Sequence, residues 1–332
     1  MSGRRERIAA IDMAKGLAIT WVMLIHARVL GGSPWMEHLV GDAVAVFVVL
    51  FGLNAEQWWR GHAGASAADW YRRYLRRLLV PVWAILPFWW AGDLLVRRVV
   101  AFSPGLLLGN LAGWLPNIGT GWFVTMILQL VLVFPLLHAA VRRLDDGALL
   151  ALALGWTAAS ATLLPALLER MGATGYVLSA PARFAGHVLF GAFLARRLPV
   201  VLEARTGALA FASWVATVLL QEWPAAAAFA PLAERASDLL LATWLLAAMR
   251  AGEGVGPVAR PLAWLGIHSW GLYVGQMLVH NLVLFALGSW NAFRGGAAAW
   301  IYAGLLLGGA IALVVAGERL RIASLRLVAP AR

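Results

Sequence analysis

Residues 11–26 read IDMAKGLAITWVMLIH, and the few polar positions in that stretch decide what kind of protein this is. The run is apolar enough for a bilayer interior, yet Asp12, Lys15 and His26 lie within it. Lys15 and His26 are eleven residues apart, close to three turns of about 3.6 residues, so they share one face roughly 16 Å apart along the axis. Asp12, three residues before Lys15, can pair with it on that face. Ionisable groups inside a spanning helix are costly and tend to mark function. Two readings stay open from spacing alone. In one, Asp12 and Lys15 are a solvated interfacial pair and His26 bonds a neighbouring helix. In the other, His26 is a buried general base and Lys15 holds an anionic group or a developing oxyanion lower on the same wall. Lys15 is the sole lysine among 27 basic residues, whereas a solvated face accepts Lys or Arg equally.

The rest of the chain supports the bilayer. Of its 332 residues 62% are hydrophobic and 13% charged, against about 45–50% and about 25% in soluble domains. The 18 tryptophans suit headgroup boundaries. No small-residue cleavage site follows Arg4, Arg5 and Arg7, so the first helix is expected to stay rather than be removed as a signal. Cysteine is absent, which excludes disulfides, thiolate metal sites and cysteine nucleophiles. The expectation is an all-α, polytopic membrane bundle of about ten spans, near 12–30, 39–58, 78–96, 121–141, 147–165, 181–198, 206–222, 235–249, 262–287 and 297–316, with a half-helix at 105–118. With the N-terminus inside, 20 of the 27 basic residues fall on the inner side, which sets both chain ends in the cytoplasm. The net charge of +11 is therefore a topology signal and not a nucleic-acid one. No repeat or appended segment interrupts 1–332, which reads as one domain.

Beyond the first helix, four arginines stand at the inner end of the third span, in DWYRRYLRRLLVP: Arg72, Arg73, Arg76 and Arg77. They are either an ordinary positive-inside anchor or a cytoplasmic phosphate site, because the guanidinium fork binds phosphate bidentately. Coenzyme A, with its 3′-phosphate and pyrophosphate, would suit such a cluster. Tyr273, Gln276 and His280 form a polar stripe on one helical face, expected to look into the bundle or a wet cavity. Trp122 and Phe123 open a span after the glycine-rich NIGTG. Glu56 and Asn54 read as structural, His187 as a satisfied core histidine, and His38, His62 and His138 as interface residues. Metal-ligand spacing, a Walker loop and a nucleophile elbow are all missing, so no metal is expected.

Taken in order, these residues resemble the membrane-bound acyltransferase family 3. The family opens with an apolar residue, Asp, two variable residues and Arg-Gly, then a His eleven residues after the Arg; here stand Ile11, Asp12, Lys15, Gly16 and His26. VFVVLFGL carries Phe51 where Ser is common. Arg73, Arg76 and Arg77 before Leu78-Leu79-Val80-Pro81 match a third motif, Trp122-Phe123 a fourth, and Tyr273-Val274-Gly275-Gln276 a fifth with Gln in the His place. Lys15 keeps the charge of the usual Arg but loses its fork, and Gln276 can orient but not transfer a proton.

The resemblance implies an acyltransferase of a bacterial cytoplasmic (inner) membrane that moves an acyl group, most often acetyl, from acyl-CoA to a hydroxyl of a sugar, polysaccharide or lipid-linked glycan. An amine acceptor stays open, because the lysosomal glucosamine N-acetyltransferase type shares an Asp and a similarly spaced His in its first helix. It implies His26 as catalytic base, with Asp12 and Lys15 shaping the donor path. Arg73, Arg76 and Arg77, with Arg72 and Trp122, would hold the donor, and Tyr273, Gln276 and His280 the acceptor. Membrane lipid surrounds such a bundle, and a homodimer is left open. Two rival classes remain, a transporter with midplane polar residues and a noncatalytic scaffold.

Overall fold

The computed structural model describes residues 8–29, 34–92, 104–113, 115, 121–172, 181–287, 293 and 296–328, and every regular element among them is helical. Outside the described residues lie the basic positions 4, 5, 7, 97, 98, 294 and 332, the ends of the expected spans 12–30 and 78–96, and 117–120 of the glycine-rich stretch.

The helices in order are α1 (Ala9–His26), α2 (Pro34–Gly41), α3 (Ala43–Gly61), α4 (Ala67–Gly92), α5 (Pro104–Leu111), α6 (Trp122–Val141), α7 (Asp146–Arg170), α8 (Pro181–Arg196), α9 (Leu198–Val201), α10 (Ala204–Glu222), α11 (Ala230–Gly252), α12 (Gly256–Ile267), α13 (Ser269–Leu287) and α14 (Gly296–Val328). Among the described residues, six stretches are long and apolar enough to cross a bilayer: Ala9–His26, Trp35–Gly61, Trp122–Val141, Asp146–Arg170, Ser269–Leu287 and Gly296–Leu320. A seventh appears if Ala204–Glu222 and Pro224–Gly252, bent by 109° at their junction, count as one. The other expected spans correspond to helices of different character. α4 carries four arginines in its second and third turns, and α8 has only 16 residues, most of them buried.

One expected span changes form. The apolar run 262–287 is two helices, α12 and α13, which meet at His268. His268 leaves helical geometry at φ −100 and ψ 7, and both its backbone N–H and its ring Nδ1 turn to the Trp264 carbonyl, at 3.2 and 2.8 Å. The break falls at a histidine followed by serine rather than at a proline.

Glycine lets two helix pairs touch backbone to backbone. A Cβ on Gly16 would stand 1.9 Å from the Leu262 carbonyl oxygen, and one on Gly266 1.6 Å from that of Asp12, so α1 and α12 can cross only with glycine at both contacts. Gly52 and Gly191 do the same for α3 and α8, where a Cβ would come within 2.2 Å of the Val188 oxygen and 2.0 Å of the Val49 oxygen. Without a hydrophobic drive between helices in lipid, such close van der Waals contact is what holds a bundle together.

Proline shapes the seam between α4 and α6. Pro135 lacks the N–H that would bond the Val131 carbonyl one turn back. Trp70 Nε1 takes that carbonyl instead at 2.8 Å, and the Tyr71 hydroxyl donates to the next one, Leu132, at 2.9 Å. Ser66 and Asp69 cap the start of α4 reciprocally: the Asp69 carboxylate accepts from the Ser66 N–H at 3.0 Å and from its hydroxyl at 2.7 Å. Those bonds hold the Asp69 carboxyl below its usual range. The turn of α4 immediately before its arginines is thus anchored by a cap and by two bonds to α6.

Candidate functional site

α1 begins and α3 ends at the same, proximal, end of the bundle, and there a cavity of about 550 Å³ opens between α1, α3, α4, α6 and α13. Its size lies within the usual range for small-molecule sites. Phe47 and Trp58 both line it, eleven residues apart on α3, so it runs roughly 16 Å along that helix.

The cationic residues gather at the proximal mouth. Arg73 and Arg77, one turn apart, line the cavity, together with Asp12 and Lys15 of α1. Lys15 Nζ lies 3.2 Å from Asp12 Oδ1 and 3.5 Å from Asn54 Oδ1, so the pair expected on one face forms and is tied to α3. The Lys15 side chain is 17% exposed and that of Asp12 6%, which makes this a partly buried pair within a cavity wall. Arg72 and Arg76 lie on the neighbouring face of α4 and are exposed outside the cavity lining.

The distal end of the cavity is aromatic. Phe47, Phe123, Trp270 and Tyr273 line it, with Phe123 and Tyr273 centroids 4.8 Å apart and Trp270 stacked on Tyr273 at 5.9 Å. Trp270 Nε1 donates to the Leu78 carbonyl at 3.0 Å, which pins α13 against α4.

Gln276 is one turn past Tyr273 on α13. Its Oε1 accepts from His26 Nδ1 at 3.0 Å. With Nδ1 donating, the imidazole keeps the lone pair on Nε2, the nitrogen that can take up a proton. Gln276 is buried, and its Nε2 has no hydrogen-bond partner among the described residues. His26 itself is half-buried and stands outside the cavity lining, beyond the aromatic wall. His280 turns elsewhere and bonds the Tyr302 hydroxyl of α14. Trp122 is half-buried with its ring edge-on to Phe123, and it is Phe123 that reaches the cavity.

A second buried polar cluster sits at the distal end, between α3, α8 and α11. His187 Nε2 is 2.9 Å from Asp238 Oδ2, Arg235 Nη1 is 3.1 Å from the same oxygen, and the Ser237 hydroxyl donates to Asp42 at 3.1 Å. A proximal clamp, outside the cavity, joins Glu56 to His138 at 2.8 Å and to Arg196 at 3.2 Å. Arg196 also donates to the Leu144 and Val141 carbonyls at 2.8 and 3.2 Å, closing the turn between α6 and α7.

A family model described as an acyltransferase domain matches residues 8–319, nearly the whole chain. The chain belongs to acyltransferase family 3. It is a multi-pass membrane acyltransferase, and the match spans α1 through most of α14. No curated protein and no solved structure matches the chain significantly. Within this family member the structure brings Asp12, Lys15, Arg73, Arg77 and Tyr273 into one cavity and sets His26 and Gln276 together one turn beyond it. The described residues hold no group of three or more His, Asp or Glu arranged for a metal ion. Asn54, Gln57, Trp58, Tyr74 and Trp270, which also line the cavity, carry no family motif. Of these, Asn54, Gln57 and Trp58 share a face of α3 by their i, i+3 and i, i+4 spacing.

Proposed function

We propose that the protein moves an acyl group, acetyl in the simplest case, from acyl-CoA entering on the cytoplasmic side to a hydroxyl of a sugar, polysaccharide or lipid-linked glycan, with His26 as the base. The observation that carries the proposal is the succession along α1: a cationic mouth at Lys15, with Arg73 and Arg77 of α4 beside it, and, beyond the aromatic end of the cavity, a histidine held by Gln276 through Nδ1. Arg73 and Arg77, i, i+4 on one face, suit the phosphates of the donor, because each guanidinium can grip two oxygens. Arg76 and Arg72, on the next face, add positive charge at the mouth. Lys15, restrained by Asp12, marks the path of the pantetheine arm.

His26 Nε2 removes the proton from the acceptor hydroxyl as its oxygen attacks the thioester carbonyl. Gln276 Nε2, buried and without a partner among the described residues, is the donor at hand for the oxyanion that develops. When the C–S bond breaks, the imidazolium returns its proton to the departing thiolate. Tyr273 and the aromatic residues beside it line the cavity on the way from the cationic mouth towards His26, and their apolar surfaces help keep bulk water from the thioester. His280 and Trp122 support α13 and α6 rather than touch the donor.

The arrangement suits one domain of ten spans in a bacterial inner membrane, with both ends cytoplasmic. α4, α8, α10 and α11 serve as spans alongside the most apolar helices, and α12 and α13 together make one. Arginines at the proximal end support that orientation. Transfer of label from radiolabelled acetyl-CoA to a glycan or lipid-linked acceptor fraction tests the function. Loss of transfer in His26→Ala with retention in His38→Ala supports it; equal activity in a folded His26→Ala protein rules His26 out. A reporter fused after Arg77 is expected to read cytoplasmic.

A further inference from the structure

The cavity mouth has two unlike walls. One is cationic, with Arg73 and Arg77 on α4; the other is aromatic, with Trp58 and His62 at the end of α3 and Tyr74 beside Arg73. Trp58 and His62 are also i, i+4, and their rings stack at 4.8 Å with 22° between planes. Behind them is a second layer: Tyr74 stacks on Trp70 at 3.8 Å, and Trp59 packs edge-on to Trp58 at 5.1 Å and stacks on His138.

Tryptophan at a membrane boundary ordinarily faces the headgroups. Trp83 and Trp300, 45% and 60% exposed, have that character. Trp58 does not: it is 9% exposed, and the space it borders is the cavity. Its indole N–H has no hydrogen-bond partner among the described residues. A flat, polarisable group carrying ring acceptors, attached to phosphates, matches both walls at once.

We propose that Trp58, His62 and Tyr74 form the seat of a purine base, the adenine of the nucleotide end of the donor, while Arg73 and Arg77 grip the phosphates beside it. The inference rests on the acyl-CoA reading and adds to it the residues that recognise the base. Stacking a base on aromatic rings is worth roughly five- to a hundred-fold in affinity. The purine packs against the aromatic wall, its ring nitrogens offering acceptors to the Trp58 indole N–H and to the amide of Gln57, which also lines the mouth. The rigid second layer keeps the wall in place when the site is empty, so little side-chain freedom is lost on binding.

The test is titration of the full-length protein in detergent with adenosine 3′,5′-bisphosphate, inorganic pyrophosphate and acetyl-CoA. The wild type should bind the bisphosphate at least ten-fold more tightly than pyrophosphate. Trp58→Leu should weaken the bisphosphate about ten-fold, His62→Ala about three-fold, and neither should change pyrophosphate binding. Trp58→Phe should restore most of the loss. Arg73→Ala should weaken both ligands, which separates the phosphate wall from the base wall. His62 is exposed, so its variant remains informative should Trp58→Leu fail to fold. Wild-type-like bisphosphate affinity in a folded Trp58→Leu or in His62→Ala would overturn the base seat. So would equal wild-type affinity for bisphosphate and pyrophosphate. A wild type that binds acetyl-CoA but not the bisphosphate overturns the base seat and leaves the donor standing; one that binds neither sinks the donor reading as well.

Discussion

Two polar regions of the bundle each centre on a histidine held by a side chain from a distant helix, and they differ in what that partner is. At the distal cluster, His187 is fully buried and faces a carboxylate, Asp238, that is also gripped by Arg235. Across α1, His26 is half-buried and faces the neutral amide of Gln276, one turn beyond a cavity. A buried ion network locks its members, because removing one leaves a charge unpaired in a low-dielectric interior. An amide fixes a ring's orientation and tautomer without supplying a charge, and leaves the second nitrogen for chemistry. The first arrangement ties helices together, and the second fixes the orientation of one ring.

That contrast can be broken experimentally. The largest effect belongs to His26→Ala, expected to lower acyl transfer by roughly 10²–10⁴-fold, the usual contribution of a general base, with the melting temperature unchanged. His187→Ala should do the reverse. It strips Asp238 of one charge-assisted bond and should cost about 2 kcal/mol of stability in a thermal melt, with transfer per folded molecule within two-fold of wild type. If His187→Ala abolishes transfer in a folded protein, the two regions are not separable as drawn. A smaller, sharper test lies on α4. Arg73→Ala and Arg77→Ala should each raise the KM for acetyl-CoA about ten-fold, while Arg72→Ala and Arg76→Ala change it less than three-fold. The smallest effect is Trp70→Phe, which frees the Val131 carbonyl again and should lower stability by about 1 kcal/mol with little change in kcat.

Much of the candidate site was legible one helix at a time. The i, i+3 spacing of Asp12 and Lys15 is the observed pair at 3.2 Å, and the stripe on α13 does put Tyr273 in the cavity and Gln276 on His26. The arginine cluster was legible as a cluster, but its division was not drawn, although Arg73 and Arg77 share a face by the i, i+4 rule that leaves Arg72 and Arg76 on the next. His62, read as an interface residue, also lines the mouth of the cavity. Nothing local distinguishes an aromatic ring in a headgroup belt from one in a cavity wall; only the helices opposite decide. The break at His268 was likewise not read from the sequence, although His268 and Ser269 interrupt the apolar run there.

The amino-acid sequence by itself determined that this chain is helical and suited to a bilayer, and which polar groups each helix carries. Those are properties of single helices, set by hydropathy and by a period of about 3.6 residues. Only the tertiary structure decided which of those groups meet. His26 and Gln276 are 250 positions apart, and Lys15 and Asn54 are 39 apart. Glycine contacts, a proline-freed carbonyl and a histidine turn set how closely several of these helices approach. Such contacts depend on the shape of two surfaces at once, which no single stretch of residues records.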